Sequence, residues 1–79
     1  MNAAVIRLAV PRLTRATLKV YDVSGQLTAT LLDGMLPAGT RELVWNARDQ
    51  AQREVANGVY LLKFESPDYK ATQKLILQR

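Results

Sequence analysis

The sequence predicts an all-β domain, an antiparallel β-sandwich of six to seven strands, and three observations predict it. Apolar residues alternate with polar ones in short runs instead of recurring at helical spacing. Each run is closed by Gly, Pro or Asp turn chemistry at intervals of about 8 to 12 residues. The chain has 79 residues, 48% of them apolar, which supplies one core and hence one domain spanning residues 1–79, with an expected stability of about 5 kcal/mol.

In the first run Ile6, Leu8 and Val10 share one side and Arg7 and Ala9 the other, and Pro11 ends it because proline brings no N–H to a ladder. In the second, Ala16, Leu18 and Val20 point inward against Thr17 and Lys19, and β-forming residues continue to Tyr21. Asp22-Val23-Ser24-Gly25 reads as a tight turn, since Asp and Ser accept from nearby backbone N–H groups and Gly takes the positive φ that closes such turns. The third inward set is expected to be Leu27, Ala29 and Leu31 against Thr28 and Thr30. Asp33-Gly34 is expected to end that strand, with Leu32, Met35 and Leu36 beneath the following loop.

Leu36-Pro37-Ala38-Gly39-Thr40 is the next turn, with Pro preset near its fixed φ and Gly two residues on. In the fourth strand Leu43 and Trp45 share a face against Glu42 and Val44, which puts Trp45 in the middle of the core. The segment from Asn46 to Asn57 is too polar and irregular for a central strand, and reads as a loop with room for one helical turn around Ala47 to Gln52. After Asn57-Gly58, Tyr60, Leu62 and Phe64 form an inward set opposite Val59, Leu61 and Lys63. Ser66-Pro67-Asp68-Tyr69 turns the chain, and Ala71, Gln73, Leu75 and Leu77 alternate with Thr72, Lys74 and Ile76 in the last strand.

The chemistry available is narrow. Without Cys or His there is no disulfide, thiolate metal site, cysteine nucleophile, Ser-His-Asp triad or side chain that titrates unperturbed near neutrality. Asp22, Asp33, Asp49 and Asp68 sit at or near turns, without the oxygen-ligand spacing of a calcium loop. A sandwich of this size offers no cleft to hold a sugar between two carboxylates. The expectation is therefore no catalytic residue, no metal and no cofactor.

The formal charge of +4 is spread along the chain with seven carboxylates interleaved, not gathered into the basic stripe with aromatic platforms that nucleic-acid binding requires. No apolar stretch approaches the roughly 18 residues of a membrane span. The first eleven residues lack a leading positive charge and are interrupted by Arg7, so any export signal is expected on a larger parent chain. Trp45 could serve as a sugar-stacking platform, but its neighbours favour the core. Tyr69, beside Pro67, is the exposed aromatic of the reading.

The same residues in the same order resemble a known module, the C-terminal sorting domain of the type IX (Por) secretion pathway, and the related immunoglobulin-like domain of the flagellar hook-capping protein. Ile6, Leu8 and Val10-Pro11 look like the family's first strand, and Leu18 through Leu27, with Tyr21, Asp22 and Gly25, look like its second strand and turn. Ala38-Gly39 with Leu43-Val44-Trp45-Asn46, then Ala56-Asn57-Gly58-Val59-Tyr60, then Lys74-Leu75-Ile76-Leu77, are similar to its later segments. Nearly the whole chain is covered. The family's Asn-Pro pair before the first strand is absent. Met1-Asn2-Ala3-Ala4 stands there, as expected of a piece cut just inside the domain.

The resemblance implies an immunoglobulin-like sandwich in which Tyr21, Asp22, Gly25, Gly39, Trp45, Gly58 and Tyr60 are structural. It implies a non-catalytic module, itself secreted or at the cell surface, that directs secretion and surface attachment of a parent enzyme such as a glycoside hydrolase or protease. Its partners would be proteins of the secretion and attachment machinery, with cell-surface polysaccharide as a further one. The implied recognition segment is Lys74, Leu75, Ile76, Leu77, Gln78 and Arg79, where an edge strand lets another protein add a strand. Two alternatives are an immunoglobulin-like spacer or interaction domain without export role, and a small carbohydrate-binding module.

Overall fold

The structure, a computed structural model, describes residues 3–78. The alternating runs form six strands: β1 (Ala4–Val10), β2 (Thr14–Asp22), β3 (Leu27–Leu36), β4 (Gly39–Trp45), β5 (Gly58–Ser66) and β6 (Tyr69–Leu77). They make two antiparallel sheets, one in the order β3-β2-β5-β6 and a smaller one of β1 and β4. Together they build an immunoglobulin-like sandwich of six strands measuring 35 × 22 × 21 Å. No membrane-crossing helix, long and apolar enough, occurs among the described residues.

The inward sets meet as the alternation requires. Ile6, Leu18, Val20, Trp45, Tyr60, Leu62 and Leu77 are buried in one cluster, and Val10, Ala16 and Leu36 in a second; Phe64 and Leu32 pack against both. Trp45 is 2% exposed and meets the Tyr60 ring edge-on at 5.3 Å between centroids, a pairing worth about 1 kcal/mol beyond the area it buries. Its indole Nε1 donates to the Arg48 carbonyl at 3.0 Å and the Tyr60 hydroxyl donates to the Ala56 carbonyl at 2.6 Å. Both rings therefore bury their bodies while satisfying their polar ends. With its ring in the core, Trp45 offers no platform for a sugar to stack on.

Three expectations need correction. β3 does not stop at Asp33-Gly34 but continues to Leu36. Asp-Gly closes a hairpin only where the chain reverses, whereas here Thr17 faces Asp33 and Ala16 faces Gly34, so the ladder runs on through both. Of the inward set Leu27, Ala29, Leu31, Ala29 is buried as expected and the other two are not. The register shifts twice, so that Leu31 and Thr28 each stand as an extra residue on β3, and each bulge inverts the alternation beyond it. Leu27 is consequently exposed, Thr28 is buried, and Leu31 and Leu32 are both half-buried against the core; Met35, expected beneath the next loop, is exposed on the outer face of β3 opposite Arg15.

The turn at Leu36 to Gly39 carries the chain from the larger sheet to the smaller one, since β4 pairs with β1 from Ala4 opposite Trp45 to Val10 opposite Gly39. The turn between β5 and β6 is a two-residue hairpin, Pro67-Asp68, between the facing residues Ser66 and Tyr69. The long connection from β4 to β5 holds a tight turn over 49–52 and a single bridge between Arg48 and Glu54, with no helix.

Candidate functional site

β6 pairs with β5 on one side only, so its other side is a sheet edge. Its inward residues are Ala71, Gln73, Leu75 and Leu77, of which Leu77 is buried and Gln73, contrary to expectation, exposed; Thr72, Lys74 and Ile76 project outward, and Ile76 is 68% exposed. Of the segment expected to be read by a partner, Lys74, Ile76 and Gln78 are exposed, Leu75 is half-buried and Leu77 belongs to the core. Arg79 lies outside the described residues. The segment thus has two jobs on alternate residues, holding the sandwich and facing outward.

β1 is also an edge, because its sheet has only β4 beside it. Cavities mark a line along which β1 and β6 run side by side without pairing. One of about 220 Å³ lies between Ala3 to Val5 and Lys74 to Leu77; one of about 230 Å³ lies between Ile6 to Ala9 and Tyr69, Ala71 and Gln73, floored by Leu18, Leu62 and Phe64. A third, of about 400 Å³, opens beneath Pro11, Arg12, Asp68 and Tyr69, where Arg12 and Asp68 form an ion pair. Two facing edges above an apolar floor suit the addition of an extended segment by main-chain hydrogen bonding.

The motif residues serve the turns and the core. Asp22 Oδ1 accepts from the Ser24 amide at 2.9 Å, the Ser24 hydroxyl at 2.6 Å and the Gln26 amide at 3.0 Å. Gly25 takes φ 89° and donates its amide to the Asp22 carbonyl at 3.0 Å. The Ser24 hydroxyl, with the Gln26 amide next, holds the Asp22 carboxyl below its ordinary value of 3.8. Gly39 begins β4 opposite Val10, and Gly58 begins β5 opposite Leu77. Tyr21 lies on the outer side of β2, where the Lys63 ammonium stands 4.9 Å from its ring centre.

Sequence reasoning missed a second carboxylate-centred loop. Asp49 Oδ1 accepts from the Ala51 amide at 2.9 Å and the Arg53 amide at 3.0 Å, and Arg53 Nε donates to Oδ2 at 3.2 Å. The Arg53 amide is the chief cause holding the Asp49 carboxyl below 3.8. The loop is tied to β3 by the Gln50 amide, which donates to the Thr28 carbonyl at 3.2 Å, using a residue that the bulge leaves outside the regular ladder. The signal in the sequence was Asp49 with an amide partner four residues on, as at Asp22 and Gln26, but without the glycine.

No group of three or more His, Cys, Asp or Glu side chains placed to hold a metal occurs among the described residues, and their buried side-chain polar atoms all have partners. What the arrangement offers is backbone edges, an apolar seam and outward lysines. No protein-family model, no curated protein and no solved structure matches this chain.

Proposed function

We propose that the domain is a non-catalytic C-terminal module that directs secretion and cell-surface attachment of a parent enzyme, read by proteins of the secretion and attachment machinery at its last strand. The observation that carries this reading is the position of β6 at a sheet edge, beside the free edge of β1 and above an apolar seam. A partner adding a strand there would gain main-chain hydrogen bonds and read Lys74 and Ile76 as outward side chains. The motif resemblance of Tyr21-Asp22, Gly25, Trp45 and Gly58 to Tyr60 supports the choice of a sorting domain over other small sandwiches.

The test is fractionation of a periplasmic reporter fused to residues 1–79 in a bacterium with type IX secretion. Deleting Lys74 to Arg79 would remove Leu77 from the core and confound recognition with unfolding, so the informative variant is Lys74→Glu with Ile76→Asp, both on exposed positions. Surface reporter with the intact domain, and periplasmic retention with the folded variant, is the expected result. Retention of both would favour a spacer or interaction domain without export role.

A further inference from the structure

All four lysines of the chain fall on one surface. By register, Lys19 on β2, Lys63 on β5 and Lys70 and Lys74 on β6 share the outer face of the larger sheet, alternating with the inward Leu18, Val20, Leu62, Phe64, Ala71 and Leu75. Lys19 stands directly opposite Lys63, and Lys74 is diagonal to Lys63 because Thr72 faces Lys63. Like charges directly opposite one another on a sheet are destabilising. Lys70 and Lys74, on an edge strand, are accounted for as protection against edge-to-edge pairing. The same reasoning does not reach Lys19 and Lys63, which lie on the two central strands.

Lys19, Lys63 and Lys74 are in no ion pair among the described residues, and Lys63 stands over the Tyr21 ring. Among the described residues, Glu42, Asp49, Glu54, Glu65 and Asp68 are in ion pairs with Arg7, Arg53, Arg48, Lys70 and Arg12, and none of them reaches Lys19, Lys63 or Lys74. The row on one side of Lys19 and Lys63 holds Asp33, Thr17 and Glu65, with Glu65 paired to Lys70, and the row on the other side is apolar. Leu27, Tyr21 and Leu61 lie across β3, β2 and β5 in line with Lys74, and Val59 faces Ile76 in the next row. Leu27, Val59 and Ile76 are 42%, 36% and 68% exposed.

We propose that this face docks onto an anionic phospholipid surface, with Lys19, Lys63 and Lys74 at the headgroup phosphates and Tyr21, Leu27, Val59 and Ile76 in the interfacial layer. Charge complementarity selects an anionic partner, and three features select lipid over protein. Protein interfaces favour Arg and deplete Lys, yet this chain, richer in Arg than in Lys, places its lysines here. Lysine suits phosphate as a compact point charge. The cavity of about 220 Å³ reaches the edge of this face at Lys74 and Ile76, and none of the cavities described above is lined by Lys19, Lys63, Tyr21 or Leu61. Aliphatic side chains, a tyrosine and lysines on one surface are the composition of interfacial binding. The inference stands independently of the secretion reading.

The experiment is co-sedimentation of the full chain with vesicles of phosphatidylglycerol and phosphatidylcholine in equal amounts, and with phosphatidylcholine alone. Binding to the anionic vesicles that weakens as salt is added is expected. Lys19→Gln with Lys63→Gln should reduce it about twenty-fivefold, at roughly fivefold per lysine near an anionic surface. That variant removes a facing like-charge pair and the Lys63 contact with the Tyr21 ring, effects of opposite sign, so its thermal midpoint should stay near the parent's, and weaker binding at an unshifted midpoint is not unfolding. Arg7→Gln with Arg41→Gln removes the same charge elsewhere and should change binding less than twofold. Equal losses in the two variants, equal binding to neutral vesicles, or no binding to either would overturn the proposal. Capture by polyglutamate without capture by vesicles would do so in favour of an acidic protein.

Discussion

The loop from Asp22 to Gln26 and the loop from Asp49 to Arg53 are the same five-residue device built with different sequences. In each, the Asp amide donates to the carbonyl four residues on, its carbonyl accepts from the residue three on, and its Oδ1 accepts amides at two and four residues on. In each, the fourth residue takes a positive φ, 89° at Gly25 and 64° at Gln52. The first has glycine there and stands as a plain hairpin turn. The second forces Gln52 into the left-handed region, which costs a non-glycine residue about 1 kcal/mol, and surrounds it with ties that the first lacks. Arg48 Nη1 donates to the Gln52 carbonyl at 3.0 Å, Trp45 holds the Arg48 carbonyl, and Gln50 reaches β3. The carboxylate is what the two share; glycine lowers the cost of the turn but does not define it.

Removing the anchor under one loop should separate the two most sharply. Trp45→Phe keeps most of the apolar ring but leaves the Arg48 carbonyl without its indole donor, at an expected cost of about 2 kcal/mol. Hydrogen exchange should then quicken at residues 50–53 while the amides of Ser24 and Gln26 keep their protection. Equal loosening of both loops would show that the anchor does not support the second.

Removing the charge from each Asp while keeping an acceptor oxygen tests what they have in common. Both carboxyls have folded values below the ordinary 3.8, so their stabilisation is fully present above the unfolded value and is lost as pH falls through the folded one. Asp22→Asn and Asp49→Asn should each lower the thermal midpoint by a few degrees at neutral pH and flatten its fall below pH 3.8. Asp49→Asn should do more, because it also weakens the Arg53 contact. Acid profiles unchanged from the parent would remove the carboxylates from the explanation.

The smallest effects should have opposite signs. Nothing lies within 4 Å of a Cβ added at Gly25, so Gly25→Ala meets backbone strain alone and should cost about 1 kcal/mol. Gln52→Gly relieves the same strain and, after the entropy of the freer unfolded chain is subtracted, should gain about 0.5 kcal/mol. Chemical denaturation of the two variants reads both, and two changes of the same sign would end the parallel.

The comparison also shows what could be read in the chain and what could not. The Asp22 turn was legible because Gly25 advertises a positive φ, whereas Gln52 advertises nothing, and a loop rich in Gln and Ala reads equally well as a helical turn. β2 and β5 were legible because a two-residue period survives wherever one face is buried. β3 was not, because a bulge adds a residue without leaving a mark in composition, and one of its two bulges, at Thr28, is bonded to the distant loop at Gln50. The lysine face was hidden for a similar reason. Lys19, Lys63 and Lys74 are scattered in sequence, and only the pairing of β2 with β5 and of β5 with β6 brings them together.

The cavity that joins Ala3 to Val5 with Lys74 to Leu77 has a mechanical consequence. It places the start of β1 and the finish of β6 at the same end of the sandwich, each on an edge strand. Tension between those two points would not slide the strands along their length against many hydrogen bonds loaded together. It would unzip β1 from β4 and β6 from β5 one rung at a time, so the domain should yield to small forces when pulled from its ends while resisting load applied through the middle of its larger sheet.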